Sequence, residues 1–86
     1  MKRTEVLEEA NRLICEDRAK QYGSAADNFG RIASMWSAYL GYEVDEADVA
    51  VMMTLMKCSR LAHQRKDDSY VDGAAYLALA SELSGD

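Results

Sequence analysis

The chain contains no proline, and this absence constrains its fold more than any other feature. Proline breaks or kinks helices, and here nothing interrupts four segments in which apolar residues recur every three or four positions. Only five of the 86 residues are glycine, whereas Ala, Leu and Glu, which favour helices, are common. The sequence therefore predicts an all-α protein.

Signals that begin and end helices fall between these apolar segments. Ser24 with Asp27, and Asp45 with Asp48, have the spacing of a capping box. Gly41 is typical of a residue that ends a helix. The predicted helices cover residues 4–19, 25–40, 46–63 and 69–83.

Size and charge limit the partners that we expect. One helical domain, residues 1–86, is too short to bury all of its apolar surface, which favours homo-oligomerisation. The net charge of −5 argues against nucleic acid or an anionic membrane as the partner. No segment has the apolar length of a signal peptide or membrane span, so we expect a cytoplasmic protein. Cys15 and Cys58 lack metal-ligand spacing and are predicted to be reduced, buried thiols.

Lys57 and Arg60 form a basic pair on the most apolar predicted helix, 46–63. Side chains three residues apart are neighbours on a helix surface. A guanidinium beside apolar side chains needs an anion, because an unpaired charge is costly in such surroundings. One interpretation is an internal salt bridge from Arg60 to Asp72 or Asp17. The other is a phosphate clamp, which suits the geometry and charge of Arg and Lys.

Carboxylates on the first and last predicted helices suggest a metal site. Asp17 and Asp72 lie on apolar stripes, and Asp68 lies one turn before Asp72. Converging carboxylates are the usual way to hold Mg²⁺ against a polyphosphate. The alternative is that Asp68 caps a helix and Asp72 is paired with a cation.

Polar and aromatic residues cluster where the first predicted helix leads into the second. An exposed aromatic ring beside amide groups can stack on a nucleobase and read its edge; such residues also commonly cap a turn. Phe29 and Trp36 are predicted to lie in the core, and His63 in solvent. The methionines of helix 46–63 are predicted to lie in the core or in an oligomer interface.

The segments DRAKQYGSAADNF, MKCSRL and DSYVDGAAYLAL resemble a family of short helical phage and prophage proteins of uncharacterised role. More distantly, the chain is similar to the nucleotide-modification-associated domain and to MazG-like all-α NTP pyrophosphatases. That resemblance implies a MazG-like antiparallel four-helix bundle, with Glu-x-x-Glu and acidic-x-x-Asp motifs holding Mg²⁺ against the substrate. Asp72 and Tyr76 fit the second motif. Lys57 and Arg60 stand in the place of the two glutamates.

We therefore expect a phage-type nucleotide-binding protein that sequesters a nucleotide or nucleotide-derived defence signal. The expected phosphate contacts are Lys57, Arg60 and Arg18. The expected base or sugar contacts are Tyr22, Gln21, Asn28, Asp17 and Tyr76. One alternative is a Mg²⁺-dependent MazG-like pyrophosphatase with Asp17, Asp68 and Asp72 as metal ligands. Another is a non-catalytic protein-interaction module.

Overall fold

The computed structural model describes residues 1–17 and 24–85, with Asp17 described by its backbone alone. Within these ranges the chain forms four α-helices and one π-helical turn, and it contains no strand. The helices are α1 (Arg3–Arg12), α2 (Ala25–Leu40), α3 (Glu46–His63) and α4 (Asp67–Leu83), and the π-helical turn is Leu13–Asp17. The prediction of an all-α protein is confirmed.

Helices α2 and α3 begin and end where the sequence predicts, because local hydrogen bonds define their ends. The Ser24 hydroxyl accepts from the Asp27 N–H at 3.1 Å. Asp45 and Asp48 cap each other reciprocally, with N···O distances of 2.9 and 3.0 Å. Gly41 ends α2 in the left-handed conformation, with φ 66°, which glycine adopts without steric cost.

The other two helices differ from their predicted bounds. Helix α1 ends at Arg12 and continues as the π-helical turn, and the end of the predicted helix 4–19 lies outside the described residues. Helix α4 begins at Asp67, two residues early, with Lys66 as its extended N-cap residue. Asp68 therefore lies in the first turn, where a carboxylate favours the helix dipole, and it does not cap the helix.

The core lies mainly along α4, which packs against both α1 and α3. Its larger cluster is Phe29, Ala33, Val49, Ala50, Tyr76, Leu79 and Ala80. A smaller cluster between α1 and α4 consists of Ala10, Val71 and Ala75. The core position of Phe29 is confirmed, and Trp36 is half-buried against the same cluster. None of the described helices is long and apolar enough to cross a membrane.

The two cysteine thiols are more exposed than the sequence predicts. Cys15 and Cys58 are both exposed, so the prediction that they are buried is wrong. Cys58 follows Lys57 by one residue, a rotation of about 100° around α3, which turns it away from the centre of the contact with α4. Cys15 lies within the π-helical turn, and its thiol donates to Asn11 Oδ1 at 3.3 Å. His63 is exposed, as predicted.

Candidate functional site

Lys57 of α3 and Asp72 of α4 form an ion pair between the two helices. Lys57 Nζ lies 3.0 Å from Asp72 Oδ2, and the two side chains are only 12% and 19% exposed. Helices α3 and α4 are close together here: a Cβ added to Gly73 would lie in ordinary van der Waals contact with the Lys57 Cβ, at 3.8 Å. Each charge has lost most of its contact with water, so each depends on the other for compensation.

Arg60 lies one helical turn beyond Lys57 and has very different surroundings. It is exposed, and it forms no ion pair with another described residue. The interpretation that Arg60 pairs with Asp72 is wrong, since Lys57 occupies that carboxylate. The three-residue spacing turns Arg60 about 60° around α3 from Lys57, away from the contact with α4. Among the described side chains its guanidinium has no anionic partner, and the predicted alternative, a salt bridge from Arg60 to Asp17, lies outside the described residues.

A small cleft lies beside the ion pair, with a volume of about 200 Å³. Its wall is mostly apolar, and its lining residues include Lys57, Ser69 and Tyr70 as well as Leu61 and Leu77. The sequence gives little indication of this cleft. The only signal is the pair of small residues Gly73 and Ala74, which leaves space against α3.

Tyr76 and Asn28 occupy different environments in the structure. The Tyr76 ring is buried, and its centroid lies 6.2 Å from that of Phe29 at an interplanar angle of 35°. A ring packed in this way is part of the core, which argues against its predicted role in contacting a base. Asn28 is half-buried near the start of α2. Arg18, Gln21 and Tyr22 lie outside the described residues, as does the side chain of Asp17.

Within the described residues, the acidic side chains predicted to bind a metal do not form a cluster. Asp72 is paired with Lys57, and Asp68 is exposed in the first turn of α4. Over residues 1–17 and 24–85, no three side chains of the His, Cys, Asp or Glu type are grouped to hold a metal ion. The ammonium of Lys57 supplies the positive charge that Asp72 would otherwise need from a cation.

The candidate site therefore consists of a largely buried ion pair, an adjacent cleft and an exposed arginine. A family described as "Domain of unknown function (DUF6378)" matches residues 5–84, which include all three features. The chain belongs to this family.

Two curated relatives of the chain come from mycobacteriophages. The Gene 55 protein of Mycobacterium phage D29 is 45% identical over 81 residues, which cover 91% of this chain and 52% of the relative. The Gene 55 protein of Mycobacterium phage L5 is 39% identical over 80 residues, which cover 91% of this chain and 51% of the relative. The chain thus spans about half the length of these relatives. No solved structure matches it.

Proposed function

We propose that this protein binds a nucleotide or a nucleotide-derived phosphate compound, without hydrolysing it, around Arg60 and Lys57. The observation that carries the proposal is an exposed guanidinium with no described ion pair, one turn from a lysine whose side chain is only 12% exposed. A phosphate placed between them would make charge-assisted hydrogen bonds to both groups. The architecture that we propose is a MazG-like antiparallel bundle in a homo-oligomer.

Arg60 is the primary phosphate contact in this proposal. Its guanidinium presents a planar set of donors that matches two phosphate oxygens at once. Lys57 keeps donors to spare, because an ammonium has three N–H groups and Asp72 Oδ2 accepts from one of them. The proposed ligand would therefore add to the ion pair and leave it intact.

The π-helical turn Leu13–Asp17 gives separate support to a site at this end of α1. Single π-helical turns inside helices occur frequently at functional sites. This turn leads directly into the segment that contains Arg18, Gln21 and Tyr22. In our proposal Arg18 contacts the phosphate, and Gln21 and Tyr22 contact the base or sugar.

Binding is favoured over a Mg²⁺-dependent pyrophosphatase by the chemistry of the ion pair. A metal ion at Asp72 would have to displace Lys57 from the carboxylate. Otherwise the metal ion and the Lys57 ammonium, both positively charged, would have to bind the same carboxylate. Cations also replace the two glutamates that the MazG-like pattern would supply. A phosphate can be held by these cations directly, whereas a hydrolytic metal would lack its main ligands.

The relatives suggest where such binding would be useful. Both are phage proteins, so we propose that the protein acts in the host cytoplasm and sequesters a nucleotide signal used in defence. This step rests on the source of the relatives and on the proposed pocket, since the fold alone does not determine function.

Isothermal titration calorimetry with a panel of mono-, di- and cyclic nucleotides tests the proposal. We expect at least one nucleotide to bind, and Arg60→Ala to weaken its binding by at least about tenfold, which corresponds to 1.4 kcal/mol. Arg31→Ala is the matched control, because Arg31 is an exposed arginine on the neighbouring helix α2. Absence of binding across the panel, with the fold intact by circular dichroism, would refute the proposal.

A parallel assay separates binding from hydrolysis. The same nucleotides are incubated with the protein and Mg²⁺ or Mn²⁺, and released phosphate and pyrophosphate are measured. We expect no release above the protein-free rate. Metal-dependent release that is lost in Asp72→Asn would instead favour the pyrophosphatase.

A further inference from the structure

The exposed sides of α2 and α3 carry a continuous apolar surface, which we call the α2/α3 apolar face. Its members are Trp36, Tyr39, Leu40, Val51, Met52, Leu55 and Met56. Tyr39 is 91% exposed and Leu55 is 62% exposed, which is unusual for large apolar side chains. A groove of about 220 Å³ between Trp36, Leu40 and Met52 joins the α2 part of the face to the α3 part.

The accessible surface of the chain is larger than expected for a monomer of its mass, which favours a partner that covers part of it. The accessible surface of the chain is 6108 Å². A folded monomer of 9.6 kDa is expected to expose about 5,100 Å² from the scaling of surface with mass, so the excess is about 1,000 Å². A stable protein interface buries about 800 Å² on each partner. The excess is therefore close to what one such interface would cover.

The two ends of α3 have opposite charge. Glu46 and Asp48 lie in its first turn, whereas Arg60 and His63 lie in its last turn. Between Asp48 and Arg60 the only charged residue is Lys57, and it is turned toward Asp72 of α4. The apolar face is thus bordered by acid at one end and base at the other.

We propose that a second copy of this chain covers the α2/α3 apolar face, with the two α3 helices antiparallel about a two-fold axis that crosses this face at the level of Thr54 along α3. Thr54 is midway between Asp48 and Arg60, which are separated by about 18 Å along the helix at ~1.5 Å per residue. The axis therefore brings Asp48 of each copy to the level of Arg60 of the other, and the five N–H donors of Arg60 suffice for both that carboxylate and the proposed phosphate. Opposite charges meet at both ends, and the helix dipoles are antiparallel.

This inference rests on the homo-oligomer of the proposed function and does not depend on nucleotide binding. A parallel arrangement would bring acid against acid and base against base, which is unfavourable for exposed charges. An unrelated protein on this face would leave the chain monomeric when purified. The mass in solution distinguishes these cases without any ligand.

Sedimentation equilibrium of the purified chain over a range of concentrations tests the dimer. We expect a mass of about 19 kDa, twice the 9.6 kDa of one chain, and dissociation on dilution. Leu55→Glu should raise the dimer dissociation constant by at least tenfold, because it buries an unpaired carboxylate in the interface. Leu7→Glu is the matched control: Leu7 lies on α1 and is 64% exposed, almost the same as Leu55.

A second variant controls for the possibility that Leu55→Glu disrupts the fold of the single chain. Tyr39→Glu should also produce monomers, and a side chain that is 91% exposed contributes little to the fold of one chain. A wild-type chain that is monomeric at all concentrations would overturn the proposal. A dimer that both Leu55→Glu and Tyr39→Glu leave intact would overturn it equally.

Cysteine crosslinking tests the antiparallel orientation, in a background where Cys15 and Cys58 are replaced by serine. Near the axis, Leu55→Cys should form a disulfide between copies on mild oxidation. Ser59→Cys should not, since an axis at Thr54 separates the two copies of that residue by about 15 Å along the helices. Crosslinking through Ser59→Cys would indicate parallel helices and overturn the proposed geometry.

Discussion

Replacement of Lys57 by methionine should destabilise the fold, because it removes one partner of a largely buried ion pair. The substitution keeps most of the apolar stem and removes the ammonium, which leaves Asp72 with a carboxylate that is 19% exposed and unpaired. Breaking a fully buried pair costs about 3–5 kcal/mol, whereas an exposed pair is worth about 0–1 kcal/mol. The low exposure of both side chains places this pair nearer the first limit, and we expect a loss of about 2–3 kcal/mol.

Such a loss is large for a domain of this size. The total free energy of unfolding expected for 86 residues is about 4–13 kcal/mol. In thermal terms, each 1 kcal/mol corresponds to a change in Tm of about 4–8 °C, so Lys57→Met should lower the Tm by about 10–20 °C. Urea denaturation followed by circular dichroism measures the free energy directly.

Three further variants make this experiment decisive: Arg60→Met, Asp72→Leu, and the double variant Lys57→Met/Asp72→Leu. Arg60→Met is the matched control, and it should change the free energy of unfolding by less than about 0.5 kcal/mol because Arg60 is exposed. The double variant Lys57→Met/Asp72→Leu should recover most of the loss, since an apolar pair can replace a buried ion pair. A cost below about 0.5 kcal/mol for Lys57→Met would refute this expectation. So would a double variant whose loss equals the sum of the losses in Lys57→Met and in Asp72→Leu.

Two other predictions follow from single positions. Gly73→Ala should stabilise the fold by about 0.5–1 kcal/mol, because its new Cβ would lie at an ordinary 3.8 Å from the Lys57 Cβ and alanine favours a helix; a lower Tm would show that α3 and α4 are closer than described. Cys15 and Cys58 should both react with a thiol reagent in the folded protein, since both are exposed; protection of either thiol until denaturant is added would contradict the description of that residue.

The helices with capping signals at their ends could be predicted from the sequence. Ser24, Asp45 and Gly41 act on the backbone within a few residues, so their effect does not depend on the rest of the fold. The apolar stripe of α4 was also predictable, since Tyr76 and Leu79 have helical spacing and are buried. The π-helical turn after Arg12 has no comparable signal, and the sequence predicts a continuous helix there.

The sequence predicts which residues form the candidate site, but it does not predict which cation pairs with Asp72. Sequence spacing places Lys57 and Arg60 on adjacent parts of one helix, and Asp72 on a stripe that faces the core. Which cation meets Asp72 depends on the rotation of α3 against α4, and a difference of about 60° decides it. That rotation depends on long-range packing, including the close approach at Gly73, which a local pattern does not specify.

The apolar composition of α3 is explained best if the helix is used on two sides. Val49 and Ala50 are fully buried against the rest of the chain, whereas Val51, Leu55 and Met56 are exposed. A helix that served only the core would need a stripe of apolar residues and would carry polar residues on the other side. Helix α3 packs against α2 and α4, and Val51, Leu55 and Met56 stay exposed, so burial within one chain does not account for the second apolar side of α3. Self-association does account for it, and the opposite charges at the two ends of α3 then determine which way the partner helix runs.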